Sequence, residues 1–246
     1  MANIINICAQ DVWQESANPQ HVVGQLAVDQ YGNRYRYVKN GGTALTTGNL
    51  LQEPAEDTAF DNMATQAAVA INDTDVSVTL GGTAVTANLF DGGILHVSYG
   101  TGIGQIRRIV KHTVMATTTG TCTFTVDHPI KIALTTASSK VSVRKNPYNG
   151  VIQYPVTTQT GGAVGVALYA LTASYYGWIQ SGGEATVIYD AAGTDTSNGV
   201  TGLAPSVGTA GCVKPQGGGE GAIIIGYARD VVSTHAYQGI AHLMID

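Results

Sequence analysis

A chain of 246 residues with 12 Lys/Arg against 17 Asp/Glu carries a net charge of −5, which argues against a binder of duplex or single-stranded nucleic acid, since such a binder needs a basic face to replace phosphate counterions. Charged residues make up only 12% of the sequence, and glycine reaches 31, so charge protects the surface poorly against association and the surface reads as one covered by neighbours. A chain of this size builds a core without disulfides or metal; its apolar runs fall far short of the ~20 residues that span a bilayer, so no membrane partner is expected.

The N-terminal segment 1–19 lacks periodic pattern and lacks a basic region followed by a long apolar run, so it is expected to be an arm that orders on docking rather than a secretory signal. Trp13 is its candidate partner contact. Strands are predicted at 21–28 and 33–38, joined through Asp29-Gln30-Tyr31-Gly32, where glycine supplies the positive φ of a tight hairpin. Only 54–69 is expected to hold a helix, with Glu53, Glu56 and Asp57 placed at its N-terminal end. Gly41-Gly42-Thr43-Ala44-Leu45-Thr46 is echoed by Gly81-Gly82-Thr83-Ala84-Val85-Thr86, read as one piece of turn chemistry used twice.

Val76, Val78 and Leu80 alternate with Ser77 and Thr79, and Cys122, Phe124 and Val126 alternate with three threonines; both runs are half-buried antiparallel strands. Further strands are predicted at 93–99, 105–112, 164–171, 175–180 and 184–189, and Val141 and Val143 mark another. The run 222–227 is apolar on both parities and is expected to be a central strand covered on both sides. The stretch 191–211 is expected to be a loop ordered by a partner, and the Gly217–Gly221 run a mobile loop. The fold class is therefore all-β: antiparallel β-sandwich or barrel lobes with long glycine-rich loops and little helix.

Sites of chemistry are sparse. Gly100-Thr101-Gly102-Ile103-Gly104 lacks the strand-to-helix context of a nucleotide loop and reads as a hairpin turn. The six histidines form no close pair, the three cysteines Cys8, Cys122 and Cys212 fit neither a disulfide framework nor a zinc site, and no serine-nucleophile elbow is present. The cysteines are expected to be reduced and buried, consistent with synthesis in a reducing cytoplasm. Asp73 with Asp75, or Asp190 with Asp195, offer the acid pairs that a glycan hydrolase needs, but Asn72-Asp73-Thr74-Asp75 reads first as a turn. No cofactor or metal is expected. Arg107, Arg108 and Lys111 form a basic cluster and candidate partner contact, with Arg107 and Lys111 expected on one strand face and Arg108 on the other. Tyr35, Tyr37, Tyr175, Tyr176 and Trp178 read either as core or as interface anchors.

Several phrases together resemble the decoration, or cement, proteins of tailed bacteriophages. The segment from Gly24 through Asp29-Gln30-Tyr31-Gly32-Asn33-Arg34-Tyr35-Arg36-Tyr37-Val38-Lys39, followed by Thr43 to Leu50, is similar to the opening of such proteins. Tyr176-Gly177-Trp178-Ile179-Gln180 with Ile225-Gly226-Tyr227-Ala228 resembles their closing half, and Gly100 to Arg108, the Thr-rich strand and Asn146-Pro147-Tyr148 resemble a module of virion proteins. The resemblance implies residues 56–150 inserted into a β-domain built from 1–55 and 151–246. It also implies a non-enzymatic protein on the capsid surface of a virion, bound to the major capsid protein and acting as a homo-oligomer, with a trimer favoured. A tail fibre, spike or adaptor role, and a virion-associated glycan hydrolase, are the alternatives.

Overall fold

The computed structural model describes residues 4–8, 10–190, 201–216, 223–230 and 237–246. The chain divides into two compact units, one made of Met1–Ala55 with Pro147–Asp246 and one made of Glu56–Asn146. The fold is all-β, with a five-strand barrel in the first unit and a nearly closed six-strand antiparallel barrel in the second.

The first unit begins with β1 (Ile5–Asn6), β2 (Leu26–Val28), β3 (Arg34–Asn40) and β4 (Leu50–Gln52). The second contains β5 (Met63–Ala64), β6 (Asp75–Thr79), β7 (Ile94–Tyr99), β8 (Ile106–His112), β9 (Thr121–Val126) and β10 (Lys140–Arg144). The chain then returns to the first unit with β11 (Asn149–Gln153), β12 (Ala163–Ala167), β13 (Tyr176–Ile188), β14 (Gly202–Pro205), β15 (Val213–Pro215), β16 (Gly226–Ala228) and β17 (Gln238–Met244).

In the second unit the order is β5-β10-β7-β8-β9-β6, and a bridge between Thr65 and Val78 brings the ends of the sheet together. Alternation sets the faces. Cys122, Phe124 and Val126 on β9 are buried, and the phenyl rings of Phe60, Phe90 and Phe124 pack edge to face at centroid distances of 4.8 and 5.6 Å. The outward threonines pair with β6: Ser77 and Thr123 share a 2.8 Å hydroxyl contact, and Thr125 donates to Asp75 at 2.6 Å.

In the first unit β3-β11-β4-β12-β13 closes through antiparallel pairing of β13 with β3. The pairing of β3 with β11 is parallel, so this barrel joins strands from both ends of the chain. The second half of β13 leaves the barrel and pairs with β17, which carries the sheet on to β16, β14 and β15. Three packed clusters result: Val38, Leu51, Val151 and Ile179 inside the barrel; Val12, Ala27, Tyr35, Tyr37 and Trp178 at one side; and Tyr154, Val187, Leu203, Val213 and Leu243 under the outer sheet.

Several expectations need correction. The 54–69 segment holds a single 3₁₀ turn, Thr58–Phe60, and strand β5; Asp57 accepts from the Ala59 N–H at 2.9 Å and caps that turn, but Phe60 and Met63 are needed in the barrel core, which stops a helix. Strand β2 begins at Leu26, not at residue 21. The predicted strands 175–180 and 184–189 are one strand. Gly182 and Gly183 lie inside it because the turn before β3 presses against them: a Cβ at Gly183, at φ +86°, would overlap Asn33 Oδ1. Of the run 222–227, Ala222 lies outside the described residues, β16 starts only at Gly226, and Ile223 and Ile224 are exposed while Ile225 is buried. Two adjacent isoleucines are exposed before the strand begins, so the run is not a central strand covered on both sides.

The hairpin at Asp29–Gly32 is as expected, with Gly32 at φ +84°. The buried Asp29 carboxylate accepts from the N–H groups of Tyr31 and Asn33, the Asn33 amide and the Tyr35 hydroxyl. These four bonds outweigh burial, which acts the other way, and hold the carboxyl below its ordinary range.

The echoed phrase takes the same shape in both units. Leu45 forms a two-way backbone bridge with Leu171, and Val85 forms one with Met115; all four are apolar and turn inward or toward a core cluster. The same Ala-apolar-Thr phrase recurs at Ala133-Leu134-Thr135, where Leu134 bridges Val69, and at Ala170-Leu171-Thr172. In each case the threonine carbonyl then accepts an N–H three or four residues on, from Asn49, Leu89, Ser139 and Tyr175 respectively. The phrase places one apolar side chain in a core and turns the chain immediately afterwards.

Candidate functional site

The residues singled out from sequence fall on two surfaces, one in each unit. On the second unit, the outer face of β8 presents Ile106 and Val110, which are 59% and 55% exposed, together with Arg108. A bulge between Ile109 and Lys111 in the pairing with β9 changes the side-chain parity along the strand. Lys111 is therefore exposed beside Val110, while His112 turns inward with a side chain only 1% exposed. The expected sharing of one face by Arg107 and Lys111 does not hold. Arg107 is half-buried, and its Nε and Nη2 donate to the Pro129 carbonyl at 3.2 and 3.0 Å.

Arg108 donates from Nη1 to the Gly92 carbonyl at 2.9 Å, and its N–H donates to Asp127 Oδ1 at 3.1 Å. The other Asp127 oxygen lies 2.8 Å from His128 Nδ1. Burial raises the Asp127 carboxyl, but the bonds from His128 and the Arg108 N–H prevail and hold it below its ordinary range. Ile94, Ile106, the two arginines, Asp127 and His128 line a shallow hollow of about 310 Å³. Lys111 makes no ion pair among the described residues.

On the first unit, the 3₁₀ turn Asp11–Trp13 buries Val12 to 1% exposure in the cluster with Tyr37 and Trp178, and leaves Trp13 57% exposed. The Trp13 indole lies 6.2 Å from the Tyr169 ring, and the Tyr169 hydroxyl donates to the Gln14 carbonyl. Burial pushes the Tyr169 phenol up. Glu15 accepts from the Thr172 N–H and hydroxyl at 2.7 and 2.8 Å, and Ser16 exchanges both backbone bonds with Tyr176. The described part of segment 1–19 is thus pinned to its own barrel, not a free arm, because Val12 fills the side of the aromatic cluster. Tyr35, Tyr37 and Trp178 are core residues, and Tyr175 and Tyr176 pack partly buried against it.

A further exposed face lies on the outer sheet. Ile240 and Met244 of β17 are 49% and 63% exposed, beside His242, which stacks on Tyr227 at 4.9 Å. Glu184 lies 3.0 Å from His242 Nδ1 and 3.5 Å from Arg229 Nη1. Sequence reading missed this face. Its signal was the alternation Gln238, Ile240, His242, Met244 against Gly239, Ala241, Leu243, which puts two large apolar residues on the wet side.

The other candidates have local roles. Asp73 accepts from the Ala70 N–H at 3.0 Å in a turn and Asp75 holds Thr125, while Asp190 accepts from Ser206 and Asp195 lies outside the described residues. Gly100 to Gly104 form the turn between β7 and β8. Cys122 and Cys212 are buried, and burial raises both thiols; Cys8, expected to be buried, is exposed at the rim of a groove of about 520 Å³ beside Asp29 and Tyr31. Among the described residues no three His, Cys, Asp or Glu side chains converge as metal ligands. His235, residues 191–200 of the expected loop, and Gly217 to Gly221 lie outside the described residues, while the rest of the expected 191–211 loop holds strand β14 with Leu203 and Ala204 fully buried, paired within its own sheet.

Charge is divided unevenly between the units. Glu56–Asn146 contains seven acidic and seven basic residues, whereas Met1–Ala55 with Pro147–Asp246 contains ten acidic and five basic, so the net charge of −5 belongs to the first unit. Compared with models of known protein families, with curated proteins and with solved structures, the chain matches none.

Proposed function

We propose that this protein is a non-enzymatic structural component of a tailed-bacteriophage virion, synthesised in the host cytoplasm, that decorates the outside of the capsid and holds neighbouring major capsid subunits together as a homo-oligomer. The observation that carries the reading is the contrast between filled barrels and apolar outer faces. Both barrels have tightly packed interiors, yet Ile106, Val110, Ile240 and Met244 stand on outer sheet faces at 49–63% exposure, in a chain with 12% charged residues. Large apolar side chains exposed on the outer faces of filled barrels mark surfaces suited to association. Such modest contacts, repeated over a symmetric shell, gain strength by multivalency. The resemblance to decoration proteins supplies the partner, and a cyclic unit, a trimer by preference, suits repeated positions on a symmetric lattice.

The test is to add the purified protein to capsids that lack it and to separated tails, and to measure co-sedimentation. Saturable binding to capsids, weakened in an Ile240→Glu/Met244→Glu variant that remains folded, is the expected result. Binding to tails alone would move the role to the tail, and turnover of polysaccharide lost on replacing one acid would make the protein a hydrolase; either overturns the reading.

A further inference from the structure

Both surfaces singled out above carry what the other lacks. The β8 face is aliphatic and basic: Ile106 and Val110 flanked by Arg108 and Lys111. The one carboxylate in its hollow, Asp127, is already satisfied by His128 and the Arg108 N–H. The surface around the Asp11–Trp13 turn is aromatic and acidic: an exposed indole with the exposed Asp11 and Glu15 each two positions away in the chain. It belongs to the unit that holds the whole net charge of −5, where Arg36 is paired with Asp246, Arg229 lies by Glu184, and the Lys39 ammonium sits 5.7 Å over the Tyr176 ring.

From this we infer that the Asp11–Trp13 surface of one copy docks on the outer face of β8 of a second copy of the same chain. Charge complementarity selects the occupant, because every copy carries both halves and unlike charge orients them. The indole is the anchor. A large aromatic residue on an anchored backbone loses less freedom on binding, and the turn that carries Trp13 is anchored by the buried Val12, with the Tyr169 ring 6.2 Å from the indole. Arg108 offers the face of the indole a cation, and the aliphatic side chains Ile106 and Val110 offer it apolar surface. The two halves are different surfaces, so the contact either runs head to tail, closing a ring if the rotation permits, or is made twice in a two-fold dimer. This deepens the assembly reading and rests on it, but it is tested on purified full-length protein with no capsid present, so its failure leaves capsid binding to be judged separately.

Two variants each break one half. Lys111→Glu with Val110→Glu spoils the β8 face without touching the internal bonds of Arg108. Asp11→Lys with Trp13→Ala spoils the other while keeping Glu15 on Thr172. Sedimentation velocity over a concentration series, with circular dichroism to confirm folding, should show that the parent associates and that each variant associates about tenfold or more weakly, the loss growing as salt is lowered for the charge-reversed pair. An equimolar mixture of the two variants should associate again as pairs, because one copy's intact β8 face meets the other's intact turn. A parent that stays monomeric, variants that associate like the parent, or a mixture that fails to recover would each overturn the inference. Should either double variant unfold, Lys111→Glu and Trp13→Ala alone, both at exposed positions, give the same comparison with a smaller expected loss.

Discussion

The second unit closes six antiparallel strands from one continuous segment around a single core, whereas the first closes five strands from both ends of the chain around one cluster and packs two more outside that barrel. The second is charge-balanced and the first carries all of the net charge. Each unit is therefore vulnerable in a different place. A barrel closed from one continuous segment around one core fails through that core, while a barrel assembled from distant segments fails through the few contacts that tie those segments together.

The largest expected effect breaks the second unit alone. Phe124→Ala removes a fully buried ring from between Phe90 and His112 and should cost about 3–5 kcal/mol. Hydrogen exchange read peptide by peptide should rise through β6 to β9 and leave β3 and β13 protected; a uniform rise over the whole chain would remove the distinction between the units. In the first unit Asp29→Ala strands the buried Tyr35 hydroxyl and two N–H groups, with an expected loss of about 2 kcal/mol in denaturant unfolding. Gly183→Ala forces a left-handed backbone and an overlap with Asn33, for about 1–3 kcal/mol in the same measurement.

The smallest effect is a pH dependence. The Arg36 guanidinium bonds the Asp246 carboxylate and, against the opposing effect of burial, holds it below its ordinary 3.8; Ser181 and Arg34 add to the effect. A carboxyl held lower in the folded state contributes stability that is complete above about pH 4 and is lost as pH falls through its folded value. The contribution is about 0.5–1 kcal/mol for partly exposed groups, and Asp246→Asn should remove that part of the acid sensitivity in thermal melts between pH 5 and 2.

Much of the fold was legible because strand alternation is a local signal. The faces of β6, β7 and β9, and the Asp29 hairpin, follow from side-chain period and turn chemistry. Three features were not legible for one shared reason: each depends on a distant partner. Gly182 and Gly183 read as a break, yet they lie in a strand because residues 150 positions earlier press on them. The bulge that sends Lys111 outward and His112 inward is set by the register with β9. The 1–19 segment read as an arm because a lone Val12 gives no pattern, although its partners Tyr37 and Trp178 give it a place. The contact surfaces were half legible: Trp13 and Arg108 stood out by residue type, but Ile106 and Val110 became visible only when the barrel interior proved to be filled by Ile109.

The proposed capsid decoration is put to the sharpest test by a near-atomic reconstruction of the native particle that carries the chain. Density for both barrels at regular lattice positions outside the head, bridging neighbouring major capsid subunits, is the predicted result; density found only on the tail would contradict it.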